Sequence, residues 1–169
     1  MDAAELRAMQ APIKEKYKTD AKAAFITLKA KGSIDESNIS CKVETGRALA
    51  VAGLHPATGG SGMELCSGDM LLEALVACAG VTLKAVSTAL GINLKAGHVS
   101  AEGDLDFRGT LGVDKEAPVG FAEIRLKFDV DTDEPQEKLD QLLKLTERYC
   151  VVYQTIKSGP PVAVTMTRV

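Results

Sequence analysis

Hydrophobic and polar residues alternate along two stretches in the second half of the chain. In residues 99–108, apolar or small residues occupy every second position, and polar or charged residues fill the positions between them. In residues 123–130, four apolar residues alternate with four charged ones. Successive side chains of a strand point to opposite faces, so this pattern predicts two partner strands, each with one buried and one solvated face.

An apolar run predicts a long helix that begins near Ser67 and ends at Gly91. Ser67 is placed to act as its N-cap, and Asp69 puts a negative charge in the first turn, where the helix dipole favours one. Gly91 can take the left-handed conformation that often ends a helix. The run is long enough to cross a membrane, but Glu73 and Lys84 interrupt it, and charges in lipid are costly. We therefore predict a buried helix of a soluble protein.

A second helix with regular apolar spacing is predicted from Pro135 to Cys150. At 100° per residue, Cys150 lies within about 20° of Leu139 and Leu143 around the helix axis. The Cys150 thiol is therefore predicted to face the core.

The remaining segments are shorter. An N-terminal helix, kinked or broken by Pro12, is predicted at residues 3–17, and a short helix ends before Pro160. Early strands are predicted at residues 24–31, 38–44 and 48–52, a loop at residues 53–62, and a final strand at residues 162–168. Helices grouped against antiparallel strands indicate an α+β fold.

The composition is typical of one cytoplasmic domain. Hydrophobic residues make up 46% of 169 residues, enough to fill a core. The net charge is −3 and no Lys/Arg cluster is dense enough to follow a phosphate backbone, so we expect no nucleic-acid partner. The N-terminus lacks the pattern of a secretory signal, and we expect a cytoplasmic location and no membrane association. His55 and His98 have no metal-ligand spacing with the cysteines, so we expect neither a metal nor a cofactor.

Four cysteines carry the candidate chemistry. In the cytoplasm they are expected to rest reduced, which favours catalytic, redox or packing roles over permanent disulfides. Cys78 lies in the long apolar run between two alanines, and Cys150 ends the second helix. Each can be a small packing hydrophobe, but two thiols that share a pocket can form a disulfide and be reduced again. Cys41 and Cys66 are interpreted as structural, and Cys66 is about 18 Å from Cys78 along a helix, too far for a disulfide.

A reactive Cys78 needs a nearby group that stabilises its thiolate. The charged residues of its own helix are poorly placed, because Glu73, Lys84 and Asp69 lie about 140°, 120° and 180° away around the axis. A cation that lowers the pKa of Cys78 must therefore come from outside this helix.

Cys78 and Cys150 each lie in a distinctive context, and two further segments between them are just as distinctive. These stretches are residues 66–80, 105–114, 120–125 and 145–155. Together they resemble the OsmC/Ohr superfamily of osmotically inducible and organic hydroperoxide resistance proteins, in its OsmC-like branch. The resemblance covers residues 22–169, as an OsmC-like domain, and leaves residues 1–21 as an N-terminal helical arm.

The resemblance implies an OsmC-like fold, in which antiparallel sheets wrap two central helices in an intertwined homodimer. It also implies a thiol peroxidase that reduces organic hydroperoxides. Cys78 would attack the peroxide and become a sulfenic acid, and Cys150 would condense with it to a disulfide. A dithiol such as dihydrolipoamide would then reduce the pair.

The family's peroxidase branch pairs an arginine from an early strand with a carboxylate ten residues before the first cysteine, and here that position is Gly68. Asp69, one place further on, and Arg47, in a turn between early strands, are the candidates for these two roles. The alternative is a non-enzymatic protein of the same fold, in which an apolar cleft holds a hydrophobic small molecule and the cysteines are structural.

Overall fold

In the described part of the chain, a long helix lies across a four-stranded antiparallel sheet. The computed structural model describes residues 3–34, 41–43, 53–63 and 65–168. The helices are α1 (Ala3–Thr19), α2 (Ser67–Leu90), α3 (Phe107–Thr110), α4 (Gln136–Tyr149) and α5 (Val151–Ser158). The strands are β1 (Phe25–Ile34), β2 (Cys41–Val43), β3 (Ala96–Asp106) and β4 (Phe121–Asp131). This mixture confirms the predicted α+β class.

The sheet has the strand order β2-β1-β3-β4, and each neighbouring pair is antiparallel. The two alternating stretches of the sequence form β3 and β4 and pair with each other, as predicted, and Ala101 lies opposite Leu126. Strand β3 ends at Asp106, whereas the pattern placed Phe107 in the strand. The reason is local: the Asp106 carboxylate accepts a hydrogen bond from the Arg108 N–H at 3.0 Å and begins the turn α3.

The early strands are described only in part. Strand β1 confirms the prediction made for residues 24–31, although it begins and ends later. Of the segment predicted at residues 38–44, Cys41–Val43 form β2. The strand predicted at residues 48–52, and the turn that holds Arg47, lie outside the described residues.

The cap of α2 lies one residue earlier than predicted. Cys66 has extended backbone angles, φ −80° and ψ 132°, and its carbonyl accepts a hydrogen bond from the Met70 N–H at 3.0 Å. Ser67 already lies inside the helix, so its hydroxyl is not the cap. Gly91 ends the helix in the left-handed conformation, at φ 66°, as predicted.

Helix α2 buries one apolar face against the sheet. The apolar side chains of α2 that are at most 2% exposed are Leu72, Leu75, Val76, Ala79 and Leu83. Among the described residues it is the one helix long and apolar enough to cross a membrane, a test that the central helix of a protein core also passes. Burial of this face gives the helix its place under β1 and β3.

Helix α1 continues through Pro12, so of the two predicted effects of this proline, a kink or a break, the break does not occur. A proline removes one backbone hydrogen bond, and the rest of the helix can keep its own. Near the end of α1, Tyr17 is buried and its hydroxyl donates to the Ala57 carbonyl at 2.7 Å. This contact ties α1 to the segment before α2. The division of the chain into an arm and a domain stays a prediction.

The C-terminal segment, residues 160–168, has no regular secondary structure, so the prediction of a strand at residues 162–168 is wrong for the single chain. Its apolar residues Val162, Val164 and Met166 are 82%, 88% and 99% exposed. Their alternation is that of a strand, but a strand also needs a neighbouring strand for its backbone hydrogen bonds. Within the described residues, the sheet of this chain does not supply that neighbour.

Candidate functional site

Cys78 lies near the middle of α2, on the side of the helix that meets α5. Its thiol is partly buried and packs against the core cluster that contains Leu75 and the fully buried Cys150. The two thiols are close enough that each shifts the pKa of the other. The structure therefore brings together the two cysteines that the sequence singled out. Cys66, the cap of α2, is twelve residues from Cys78 in the same helix, about 18 Å along its axis.

Cys150 is the one residue between α4 and α5. Its backbone is extended, with φ −73° and ψ 107°, so it ends one helix and caps the next. The Cys150 N–H donates to the Thr146 carbonyl at 2.9 Å, and its own carbonyl accepts from the Gln154 N–H at 2.9 Å. The side chain is 1% exposed, which confirms the prediction that the thiol faces the core. Both neighbouring helices hold this sulfur in place.

The first turn of α5 directs three backbone N–H groups at the two sulfurs. The N–H groups of Val151 and Val152 lower the pKa of the Cys78 thiol. The Tyr153 N–H donates to Cys150 Sγ at 3.5 Å. The first N–H groups of any helix have no partner within the helix, and the helix dipole makes this end favourable for negative charge. The two sulfurs therefore occupy the position where α5 best accommodates an anion.

Cys78 is the more acidic thiol of the pair. Burial raises its pKa, but hydrogen bonds from the Val152 N–H, the Cys150 thiol, the Val151 N–H and the Thr82 hydroxyl together lower the pKa below its usual value. Within the described part of the chain, every group that lowers this pKa is neutral. The N-terminus of α5 therefore helps to lower the pKa of Cys78, a role that was expected of a cation. A lowered pKa increases the thiolate fraction at neutral pH, and the thiolate is the nucleophilic form.

The pKa of Cys150 is shifted in the opposite direction. Burial, with a further contribution from the neighbouring Cys78 sulfur, raises the pKa of Cys150 to about 11. Cys150 therefore keeps its proton at neutral pH and can donate its S–H to the Cys78 thiolate. One site holds a nucleophilic sulfur and a protonated thiol in contact, and these are the two forms that a disulfide-forming pair needs.

The charged candidates do not gather around this pair in the described part of the chain. Asp69 lies beside His55, nine residues before Cys78 and so about 14 Å away along α2. Burial raises the pKa of Asp69, and the His55 side chain acts against that effect. Asp69 is not among the groups that set the pKa of Cys78. Gly68 has no side chain to offer, and Arg47 lies outside the described residues. No three His, Cys, Asp or Glu side chains of the described residues come close enough to hold a metal ion.

An apolar groove of about 740 Å³ has walls from α2, β4, α4 and α5, and some of its lining residues also pack in the core cluster of Cys150. Its main apolar lining residues are Leu71, Leu75, Phe121, Ile124, Leu126, Phe128, Leu143 and Ile156. Leu75 lies one turn before Cys78, and Tyr153 both lines the groove and packs against the cluster that contains Cys150. Cys78 itself is not part of the lining. The groove can hold the apolar part of a small molecule whose polar end reaches towards the sulfurs.

One wall of the groove depends on a glycine in the sheet. The Phe121 ring lies over Gly103, where a Cβ atom would come within 2.4 Å of the ring. Only a residue without a side chain leaves room for the ring in this position.

The sequence analysis missed the groups that act directly on Cys78. Thr82 could have been found, because residues four apart lie on the same face of a helix. The N–H groups of Val151 and Val152 gave no such signal. Every helix has free N–H groups at its start, and only the packing of α5 against α2 decides which side chain they meet.

This chain is similar to known proteins both in sequence and in fold. A model of the OsmC-like protein family matches residues 59–165, a range that contains both Cys78 and Cys150. The fold is also similar to the crystal structure of an OsmC-like hydroperoxide resistance protein from Jannaschia sp. CCS1, with a TM-score of 0.63. The two chains are 12% identical, and the match covers 86% of this chain and 95% of that one. No curated protein matches the sequence.

Proposed function

The chain belongs to the OsmC-like protein family, and from that premise we propose that it is a cysteine-based thiol peroxidase that reduces organic hydroperoxides. The observation that carries the proposal is the sulfur pair at the start of α5, where the pKa of Cys78 is lowered and that of Cys150 is raised. A pair of packing cysteines needs neither the contact between the thiols nor the difference between their pKa values. The similar Jannaschia protein is described as a hydroperoxide resistance protein, which agrees with this reaction.

The proposed reaction has two steps. The Cys78 thiolate attacks one peroxide oxygen, an S–O bond forms, the O–O bond breaks, and the alkoxide leaves as an alcohol after it takes a proton from water. Cys78 is then a sulfenic acid. In the second step the Cys150 sulfur attacks the Cys78 sulfur, an S–S bond forms, and the hydroxide that leaves takes the Cys150 proton and departs as water. The two cysteines supply both electrons that reduce the peroxide. A dithiol, for example dihydrolipoamide, then reduces the disulfide between Cys78 and Cys150 by thiol–disulfide exchange in the cytoplasm.

The groove supports organic hydroperoxides as the substrate class. Its lining is mainly apolar, and each buried CH₂ group of a ligand contributes roughly 0.8 kcal/mol. Hydrogen peroxide has no apolar part to bury and gains nothing from this surface. We therefore expect the alkyl or aryl part of the substrate to lie along β4, with its peroxide group directed towards Cys78.

The first test is a count of free thiols. When one equivalent of cumene hydroperoxide is added to fully reduced protein, we expect two of the four thiols to disappear within seconds. Peptide mapping should then show a disulfide between Cys78 and Cys150. A Cys66→Ser variant is the matched control, because it should still lose two thiols at the same rate. Thiols that persist for minutes would contradict the peroxidase.

In a second candidate function, the protein binds a small molecule in the groove and its thiols do not react. Because Cys78 does not line the groove, the protein can hold a hydrophobic small molecule without using its thiols. The same thiol count separates the two functions, since a binding protein would take up an apolar ligand while all its thiols stayed reduced. We favour the peroxidase because a binding protein has no need of the hydrogen-bonded sulfur pair.

We also propose that the protein is an intertwined homodimer, in which residues 162–168 add a strand to a second copy. Val162, Val164 and Met166 project from the chain almost fully exposed, at every second position, and such a segment is suited to pair with a sheet edge. A pairing of this kind would satisfy the backbone groups of the segment and bury its apolar face. Two central helices wrapped by strands of both chains would then form one core.

The dimer is tested by matched substitutions on the two faces of this segment. We expect Val164→Asp to convert the dimer to a monomer, because it places a charge on the apolar face of the added strand. Thr165→Asp, on the opposite face, should leave the dimer intact. Light scattering of the purified full chain gives the mass directly. A wild-type protein that is monomeric at all concentrations would overturn the proposal.

A further inference from the structure

Thr82 lies one turn after Cys78 on α2, so the two side chains share a face of the helix. Its hydroxyl donates a hydrogen bond to the Cys78 carbonyl at 2.7 Å. The same hydroxyl is one of the groups that lower the pKa of the Cys78 thiol. A threonine hydroxyl carries one proton, so it can donate to only one of these two acceptors at a time.

The two acceptors are unequal when Cys78 is ionised. The Cys78 carbonyl already takes the regular helical hydrogen bond from the backbone N–H of Thr82, four residues on. A thiolate carries a full negative charge, and hydrogen bonds to charged acceptors are about twice as strong as neutral ones. Loss of the hydroxyl bond costs the carbonyl little, whereas the thiolate gains a charge-assisted bond. Ionisation of Cys78 should therefore turn the hydroxyl from the carbonyl to the sulfur.

We propose that Thr82 is a further catalytic residue of this protein, whose hydroxyl moves its hydrogen bond from the Cys78 carbonyl to the Cys78 thiolate and so stabilises the reactive form. The inference rests on the proposed peroxidase, because it assigns Thr82 a part in preparing the nucleophile. The bond is released once the sulfur is oxidised and loses its negative charge, and the hydroxyl then returns to the carbonyl.

The other groups that face Cys78 are the same in every variant of Thr82. From the junction of α4 and α5 these are the Cys150 thiol and the N–H groups of Val151 and Val152. Cys150 is the titratable neighbour, and its high pKa keeps it protonated across the range in which Cys78 ionises. Within the described residues, no charged side chain contributes to the pKa of Cys78. A change on removing the Thr82 hydroxyl therefore reports on that hydroxyl.

The test compares Thr82→Val, which keeps the shape of the side chain and removes the hydroxyl, with Thr82→Ser, which keeps the hydroxyl. The pKa of Cys78 is read from thiolate ultraviolet absorbance and from the pH dependence of its alkylation by iodoacetamide, on the reduced full chain. We expect Thr82→Val to raise this pKa and to slow alkylation at neutral pH roughly threefold to tenfold. The rates should converge with wild type above the raised pKa, and Thr82→Ser should stay close to wild type throughout.

Unchanged titration of Thr82→Val, or an equal shift in Thr82→Ser, would overturn the assignment. Thr82→Ala is the second variant if valine prevents folding, and it should shift the titration in the same direction. These measurements need no peroxide, so they separate the two proposals. A shifted pKa without any reaction with cumene hydroperoxide would leave Thr82 as a stabiliser of the thiolate and refute the peroxidase. Normal peroxide reduction with an unshifted pKa would refute only the role of Thr82.

Discussion

Replacement of Cys78 by serine is expected to abolish the loss of thiols caused by cumene hydroperoxide, whereas replacement of Cys150 is expected to stop the reaction halfway. A serine hydroxyl at position 78 stays protonated at neutral pH and cannot attack the peroxide, although Val151 and Val152 can still donate to it. In Cys150→Ser the attacking thiolate remains. One thiol should then be lost for each peroxide, and Cys78 should persist as a sulfenic acid with no disulfide.

Mass spectrometry after trapping with dimedone distinguishes these outcomes. We expect the dimedone adduct on Cys78 in Cys150→Ser, a much weaker adduct in wild type, and none in Cys78→Ser. The reverse pattern, with the adduct on Cys150 in Cys78→Ser, would mean that the roles of the two sulfurs are exchanged. That result would contradict the difference between their pKa values, since the pKa of Cys150 is raised to about 11.

Much of the fold could be predicted because its elements follow from local patterns. The alternation in residues 99–108 and 123–130 gave β3 and β4 as partners, and Gly91 gave the end of α2. The errors occurred where a local pattern competes with a contact elsewhere. Phe107 fits the alternation, but the capping interaction of Asp106 starts a turn there. Residues 162–168 fit a strand, but the single chain offers them no neighbouring strand in its described part.

The two cysteines of the candidate site could be predicted from the sequence, but the groups that lower the pKa of Cys78 could not. Cys78 and Cys150 were recognisable from their contexts, and helical geometry correctly placed the Cys150 thiol in the core. Charge can be read from a sequence, and the charged candidates for activation were Asp69 and Arg47. Asp69 lies beside His55, and Arg47 lies outside the described residues. Backbone N–H groups are common to all residues, so their role at Cys78 appears only in three dimensions.

The position of Cys150 joins the two halves of the proposed reaction. Because Cys150 caps α5, the same backbone that holds its sulfur also presents the N–H groups of Val151 and Val152 to Cys78. The resolving sulfur and the activating amides cannot be placed independently. A shift of α5 that separated the sulfurs would also withdraw hydrogen bonds from the thiolate. In the proposed reaction, a Cys78 thiolate that is stabilised by these N–H groups would therefore also have Cys150 in position to resolve the sulfenic acid.

Val151 offers a direct test of activation by the helix N-terminus, because its N–H can be deleted while the fold is kept. Val151→Pro removes this donor at the first position of α5, where proline is well tolerated. The residue before a proline must be extended, and Cys150 already is, with φ −73° and ψ 107°. The Val151 side chain is 71% exposed, so its loss disturbs little packing. Val151→Ala is the control, since it changes the side chain and keeps the N–H.

We expect Val151→Pro to raise the pKa of Cys78, because a hydrogen bond that stabilises the thiolate is lost. Reaction with cumene hydroperoxide should slow about tenfold at neutral pH and recover as the pH rises through the raised pKa, since only the thiolate reacts. Val151→Ala should follow the wild-type pH profile. Equal profiles for the proline and alanine variants, in protein with unchanged circular dichroism, would show that the thiolate is stabilised by something other than the start of α5. Residues such as Arg47 would then become the leading candidates, because a full positive charge can stabilise a thiolate without any help from the helix.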